Sequence, residues 1–305
     1  MNGNLADTAE YPDPAKGGTD MPRPISWGVL VESAAASHQG LVRPENEDHY
    51  LLLEAGRFLR TLATNLPPGS VPETYEEVVH AMGVADGMGG RAAGEVASRL
   101  ALTLMVHLLL EAPVWIFSRE EPHVQTIVEL TAKRFQQVHA ALLARGKEDP
   151  RLFKMGTTLT VARSLGTDLI VAHVGDSRAY LFRQGRLQRL TRDHTLAQEL
   201  SDASMLAGIE AIAHRFRHLL TQSLGADKME IEPQIVRETL ASGDRLLLCT
   251  DGLSDQVREE VIVQELSRGA APQETCTRLV ELALESGGKD NVTVAIADYR
   301  IAQAG

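Results

Sequence analysis

Apolar positions along the chain change period several times, and each change marks an element. From Ser26 the pattern is strand-like: Trp27–Glu32 predicts a strand, Ser37–Glu47 a polar loop, and Asp48–Glu54 a second strand. Ala55–His80 contains Pro67-Pro68-Gly69 and predicts a connecting insertion with a short helix over Glu73–His80. Ala81–Ala85 is a short apolar run that stops at Asp86-Gly87. Two helices follow. Val96, Leu100, Leu104 and Leu108 recur at helical spacing with Ala97, Ala101 and Met105 beside them, and Pro113 closes the stripe. Val124, Ile127, Val128, Phe135, Val138 and Leu142 keep the same period until Gly146, where the helix is expected to stop.

Strands dominate the next stretch. Thr157–Arg163 alternates, Leu169–Val174 is mostly apolar, and Ala179–Phe182 pairs with Leu187–Leu190 across a hairpin turn at Gln184-Gly185. Asp193–Leu219 is polar and irregular and reads as a mobile excursion. Arg245–Thr250 predicts a buried strand ending at Asp251-Gly252, followed by helices near Asp255–Ser267 and Pro272–Glu285 and a last strand at Val292–Tyr299. Strands in runs and helices in pairs argue for a layered α+β domain over residues 25–301, not strict βα alternation. Residues 1–24 are rich in Gly, Pro, Asp and Thr with no apolar period, and read as a disordered N-terminal tail.

The 305 residues suffice for a large core, but only 4% are aromatic, so that core must rest on Leu, Val, Ile and Ala. A net charge of −11 disfavours nucleic acid as a partner. Cys249 and Cys276 fall in apolar or helical patterns and read as reduced, buried thiols. The run around Leu100–Leu110 is broken by Thr103 and His107, so no membrane span is expected. Asp7, Glu10 and Asp13 are unlike a secretory leader, and a cytoplasmic location is the expectation.

One chemical feature recurs. Apolar strands end in an aspartate at Val84-Ala85-Asp86-Gly87, Val174-Gly175-Asp176-Ser177 and Cys249-Thr250-Asp251-Gly252, and Lys289-Asp290-Asn291 immediately precedes the last strand. Each alone is an ordinary turn starter. Strand ends of one sheet lie close in space, so together these carboxylates can meet at one edge. Clustered carboxylates repel one another, and a divalent cation relieves the repulsion. An all-oxygen donor set suits Mg²⁺ or Mn²⁺. Zinc is disfavoured, because the chain has no CxxC and no HExxH. The loop Ser37–Asp48 adds Arg43, whose guanidinium is suited to gripping a phosphate beside such ions.

These residues also carry a resemblance. Arg43-Pro-Glu-Asn46-Glu47-Asp48, Val84-Ala-Asp86-Gly87-Met88-Gly89-Gly90, Gly94-Glu95-Val-Ala-Ser98, Gly156-Thr157-Thr158, Gly175-Asp176-Ser177-Arg178, Asp251-Gly252-Leu253-Ser254-Asp255 and Asp290-Asn291, in this order, resemble the bacterial metal-dependent protein Ser/Thr phosphatases of the PPM family, type 2C. The resemblance spans residues 27–299. It implies a four-layer αββα sandwich, two antiparallel sheets flanked by helix pairs, with a metal site at one end. It implies that Asp86 bridges two Mn²⁺ or Mg²⁺ ions, that Asp251 and Asp290 bind one of them, and that the Gly87 carbonyl binds the other. Glu47 and Asp48 would orient metal-bound waters, with direct ligation by Glu47 a further option. Asp176 and Asp255 would match the acids around a third metal, and Arg43 would grip the phosphoryl group. Arg43, Asp48 and Asp86 are thus the expected catalytic residues. His194 matches a position at the start of the family's flap, without a role. The implied reaction is hydrolysis of protein phosphoserine and phosphothreonine by a water or hydroxide bridging two ions.

The implied partners are phosphoproteins: a Hanks-type kinase and its targets, or an anti-sigma-factor antagonist, met by a monomer. Two alternatives on the same fold are a pseudo-phosphatase binding module, which would have lost metal ligands, and a small-molecule phosphoesterase. The insertion Ala55–His80 and the segment Pro113–Phe117 depart from the family, and Ser201–Arg217 matches its flap only loosely. His214 and His218 read as satisfied surface or core residues.

Overall fold

The computed structural model describes residues 24, 26, 28–89, 93–111, 121–202, 216–226 and 230–302. The expected N-terminal tail, the segment at 113–117 and the centre of the excursion at 201–217 with His214 therefore lie outside the described residues, apart from residue 24. The elements are β1 (Val29–His38), β2 (Asp48–Arg60), β3 (Thr74–Met88), α1 (Ala93–Leu110), α2 (Glu121–Glu148), β4 (Gly156–Thr157), β5 (Leu159–Leu165), β6 (Asp168–Val174), β7 (Arg178–Arg183), β8 (Arg186–Arg189), α3 (Leu196–Asp202), β9 (Leu224–Gly225), β10 (Gln234–Thr239), β11 (Arg245–Cys249), α4 (Asp251–Ser254), α5 (Glu259–Leu266), α6 (Pro272–Glu285) and β12 (Val292–Ile301).

Two antiparallel sheets face one another. One has the order β1-β12-β11-β7-β8, and the other β10-β6-β5-β3-β4-β9 with β2 also paired to β3. The two-residue side-chain period of a strand divides each strand between two cores. In β11, Leu246 and Leu248 point between the sheets, while Leu247 and Cys249 point outward under α5 and α6. In β12, Ala295, Ala297 and Tyr299 face inward, and Val292, Val294 and Ile296 face the helices. On the other side, Ala85, Leu159, Ala172 and Val174 pack beneath Ala97 and Ala101 of α1 and Phe135, Val138 and Leu142 of α2. Three apolar layers separate four layers of backbone, so the sandwich expected from the resemblance is the fold.

Several expectations change. Ala55–His80 is no insertion with a helix: β2 runs to Arg60 and β3 starts at Thr74, and they pair from Asp48↔Asp86 to Arg60↔Thr74. Strand pairing overrides the helical reading of Glu73–His80, because a partner strand is already there to satisfy its backbone. Gly146 does not stop α2, which continues to Glu148. The helix expected at Asp255–Ser267 begins only at Glu259, as α5, and a separate short turn, α4, precedes it. The irregular region contains α3 and a bridge between Thr195 and Leu220, and β10 forms a sheet edge where no strand was expected. At the Gln184-Gly185 turn both residues have positive φ, 51° and 78°, the backbone of a tight two-residue hairpin. Helix α1 is long and apolar enough by composition to cross a membrane, despite Thr103 and His107; in the fold it lies on β3 with Ala93, Ala97 and Ala101 buried.

Candidate active site

The acidic strand ends converge at one end of the sandwich. Asp48, the first residue of β2, sits directly opposite Asp86, near the end of β3, in the antiparallel register. Asp251 follows β11 and opens α4, within hydrogen-bonding reach of Asp86. Asp290 precedes β12, the neighbour of β11. Its carboxylate accepts a 2.6 Å hydrogen bond from Arg43 Nη2. Asp176 follows β6, and its charge is felt at Asp86. Register and topology alone thus gather acids that are more than 200 positions apart.

Each is held by a local device. Thr158 Oγ1 accepts from the Asp86 amide at 2.9 Å, while the Thr158 amide and Thr157 Oγ1 donate to the Asp86 carbonyl at 2.9 and 2.8 Å. Thr250 Oγ1 donates to Asp48 Oδ2 at 2.8 Å and accepts from the Thr293 amide at 3.0 Å. Asn291 fixes the arginine loop: its Nδ2 donates to the carbonyls of Gln39 and Glu45, both at 2.8 Å, and its Oδ1 accepts from the Glu47 amide at 2.8 Å. Gly87 and Gly252 are required by close approach. A Cβ on Gly87 would stand 2.1 Å from the Gly94 carbonyl oxygen, and one on Gly252 1.8 Å from that of Asn291. Glu47 lies against the first turn of α1, where a Cβ on Gly94 would meet its Oε2 at 2.7 Å.

The electrostatics are those of a crowded anionic site. Burial, then repulsion from neighbouring acids against the relief of the Thr250 hydrogen bond, pushes Asp48 up to about 7. Burial and the Asp290 and Asp255 charges push Asp251 to about 7 as well. Asp86 is held well above the ordinary carboxylate range by burial and by Asp48, Asp251, Asp176 and Asp290. Asp176 is raised by burial and by Asp251, Asp193 and Asp255. Glu47 is raised by burial, with Arg43 opposing. Arg43 is raised by its bond to Asp290.

The donor set fits hard divalent cations. The buried Oδ1 atoms of Asp48 and Asp251 have no hydrogen-bond partner among the described residues. A buried carboxylate oxygen without a donor is costly unless something positive faces it. The donors gathered around Asp86, Asp251 and Asp290 are all oxygens, which suits Mg²⁺ or Mn²⁺ and not zinc.

The comparisons place this geometry in a family. The family model described as protein phosphatase 2C matches residues 73–284. The chain belongs to the protein phosphatase 2C family. It is 38% identical over 270 residues to the serine/threonine protein phosphatase PstP of Mycobacterium tuberculosis, covering 88% of this chain and 45% of that protein, so the chain spans less than half the length of that relative. It is 32% identical to the serine/threonine phosphatase Stp of Listeria welshimeri, over 73% of this chain and 85% of that one. Among solved structures, the PstP catalytic domain in complex with two manganese ions superposes with a TM-score of 0.68 at 35% identity, covering 89% of this chain and 99% of that domain. Stp1 of Staphylococcus aureus superposes with a TM-score of 0.71 at 27% identity, covering 91% of this chain and 98% of that one.

Among the 2C-type motif residues, Arg43, Glu47, Asp48, Asp86, Gly87, Asp251 and Asp290 share one end of the sandwich, with Asp176 and Asp255 beside Asp251. His194 is a latch for the Asp176 loop: its Nδ1 accepts from the Gly175 amide at 3.2 Å and its own amide donates to the Gly175 carbonyl at 2.7 Å. His218, read from sequence as a satisfied surface or core residue, is exposed and stands beside the site. Its Nδ1 is 3.4 Å from Asp255 Oδ2, and His218, Asp251 and Asp255 offer ligand atoms within 4.8 Å of one another. No spacing in the sequence signals it. The roles of Asn291 and Thr250 were equally invisible as chemistry, although both stand inside or beside the motifs.

Proposed function

We propose that this chain hydrolyses phosphoserine and phosphothreonine in proteins with the help of two Mn²⁺ or Mg²⁺ ions. The observation that carries the reading is the meeting of Asp48, Asp86, Asp251 and Asp290 beside Arg43, with two buried carboxylate oxygens left without donors. Asp86, Asp251, Asp290 and the Gly87 carbonyl would hold the ions, with Glu47 a further candidate and Asp176, Asp255 and His218 around a third. When bound, such a pair of ions lowers the pKa of a shared water toward neutrality and offsets charge on the phosphoryl oxygens.

The chain's own residues do the rest. Arg43 reaches the open edge of the site, and its remaining guanidinium donors bind two phosphoryl oxygens. Asp48, anchored by Thr250, and Glu47 orient the attacking water opposite the leaving serine or threonine oxygen. No thiol takes part: Cys249 and Cys276 are buried, and burial pushes both up to about 12. The substrates proposed are a Hanks-type kinase with its targets, or a phosphorylated anti-sigma-factor antagonist. The test is phosphate release from a phosphothreonine peptide with Mn²⁺, with and without EDTA. Activity is expected only with metal, and Asp251→Asn is expected to lower kcat at least about a hundredfold while leaving the fold intact. An Asp251→Asn enzyme as fast as wild type refutes the reading.

A further inference from the structure

A cavity lies away from the acidic site, between the outer face of the β2–β3–β5–β6 sheet and the helices α1 and α2. Its volume is about 80 Å³. Leu102, Met105 and Leu109 of α1, Ile127 of α2, and Gly83 and Val161 of the sheet line it. Such a lining alone describes a gap in a core. The exception is Arg134, which also lines it from the inner face of α2.

Arg134 is only 7% exposed. Ile127, Thr131 and Arg134 follow one another at helical spacing, so all three stand on the face of α2 that lines the cavity. Among the described residues no acid pairs with it and no hydrogen bond to it is formed. Burial alone lowers its pKa, with no neighbouring charge offsetting the effect. Arg163, another cation lining the cavity, adds like charge instead of relief: burial, reinforced by Arg134 and opposed by Asp168, pushes it down to about 10. A buried cation is costly unless an anion meets it, and natural proteins rarely keep one without a partner.

We propose that this cavity is a binding site for a small amphipathic carboxylate, its headgroup on Arg134 and its apolar body among the α1 and β-sheet side chains. The volume holds roughly five to eight water-sized groups, which suits a short acyl chain and excludes a full-length lipid tail. The carboxylate supplies the bidentate acceptor that a guanidinium fits, and the apolar walls supply the transfer term for the chain.

The probe is sodium hexanoate, titrated calorimetrically into the full chain at neutral pH, with hexanol as the uncharged control. Saturable binding with a Kd of about 1 mM or tighter is expected, at least about tenfold tighter than for hexanol. Arg134→Met should lose at least about tenfold in hexanoate affinity and leave hexanol binding unchanged. If Arg134→Met fails to fold, Leu109→Trp tests the same site by filling it, and should abolish hexanoate binding with Arg134 intact. Absence of saturable binding overturns the proposal. So does hexanol binding as tightly as hexanoate, or a Leu109→Trp protein that binds hexanoate like wild type. None of these outcomes bears on the phosphatase reading, because Arg134 and Leu109 are outside the acidic site.

Discussion

Replacing Asp48 with asparagine isolates the cost of the acidic site in the metal-free protein. Asp48 is 5% exposed, and burial with its neighbours' repulsion carries it from 3.8 to about 7. The folded chain therefore holds a proton on this group at pH values where the unfolded chain has lost it. With more protons bound in the folded state, stability falls as pH rises between these values, and the full penalty is present above about 7. The difference between 3.8 and about 7 corresponds to a ceiling of about 4 kcal/mol. Neighbouring acids share protons with Asp48 and take up part of that, so about 2–4 kcal/mol is expected. The substituted amide carries no such charge, and its side-chain oxygen can still accept from Thr250. Urea unfolding in EDTA at pH values from about 5 to 8 should show Asp48→Asn gaining on wild type as pH rises. Buried neutral histidines such as His173, lowered to about 3 by burial, give a slope of opposite sign below their unfolded value of 6.5. That contribution is common to both proteins and cancels in their difference. Adding Mn²⁺ at about a hundred times its Kd should restore about 2.7 kcal/mol to wild type at pH 8. A stability difference between the two proteins that does not grow with pH, or that favours wild type at pH 8 in EDTA, refutes the reasoning.

Other outcomes follow from single contacts. Arg43→Ala should raise KM for a phosphopeptide more than it lowers kcat, because the side chain is half exposed and acts mainly in binding; equal falls in kcat and kcat/KM would contradict that role. Thr250→Val keeps the shape but removes the donor to Asp48 and the acceptor for the Thr293 amide, and should cost about 2–4 kcal/mol in urea unfolding. Phe135→Ala, at 0% exposure beneath the β3–β5–β6 sheet, should cost about 3–5 kcal/mol by the same measurement. Arg278→Ala, which breaks ion pairs to Glu281 and Glu285 with both acids more than half exposed, should leave the urea-unfolding midpoint unchanged within error.

The sequence by itself determined which residues were chemical. Aspartates at strand ends, each followed by Gly, Ser or Asn, stood out from alternation alone, and so did the helices with continuous 3.6-residue stripes, α1, α2 and α6. The ordered motifs supplied the family and the sandwich. Local pattern misread Glu73–His80, because its three glutamates suit a helix, whereas Thr74, Tyr75, Val78 and Val79 suit a strand once β2 provides a partner. Only the tertiary structure decided that Asp48 faces Asp86, since register is a relation between strands that neither strand encodes alone. It also decided that His218 stands beside Asp255 and that Asn291 clamps the Arg43 loop. These contacts join positions tens to hundreds of residues apart, where no spacing rule operates. Arg134 belongs with them: on a helical wheel it interrupts an apolar stripe, and only packing α2 against the sheet reveals an arginine in the wall of an apolar cavity.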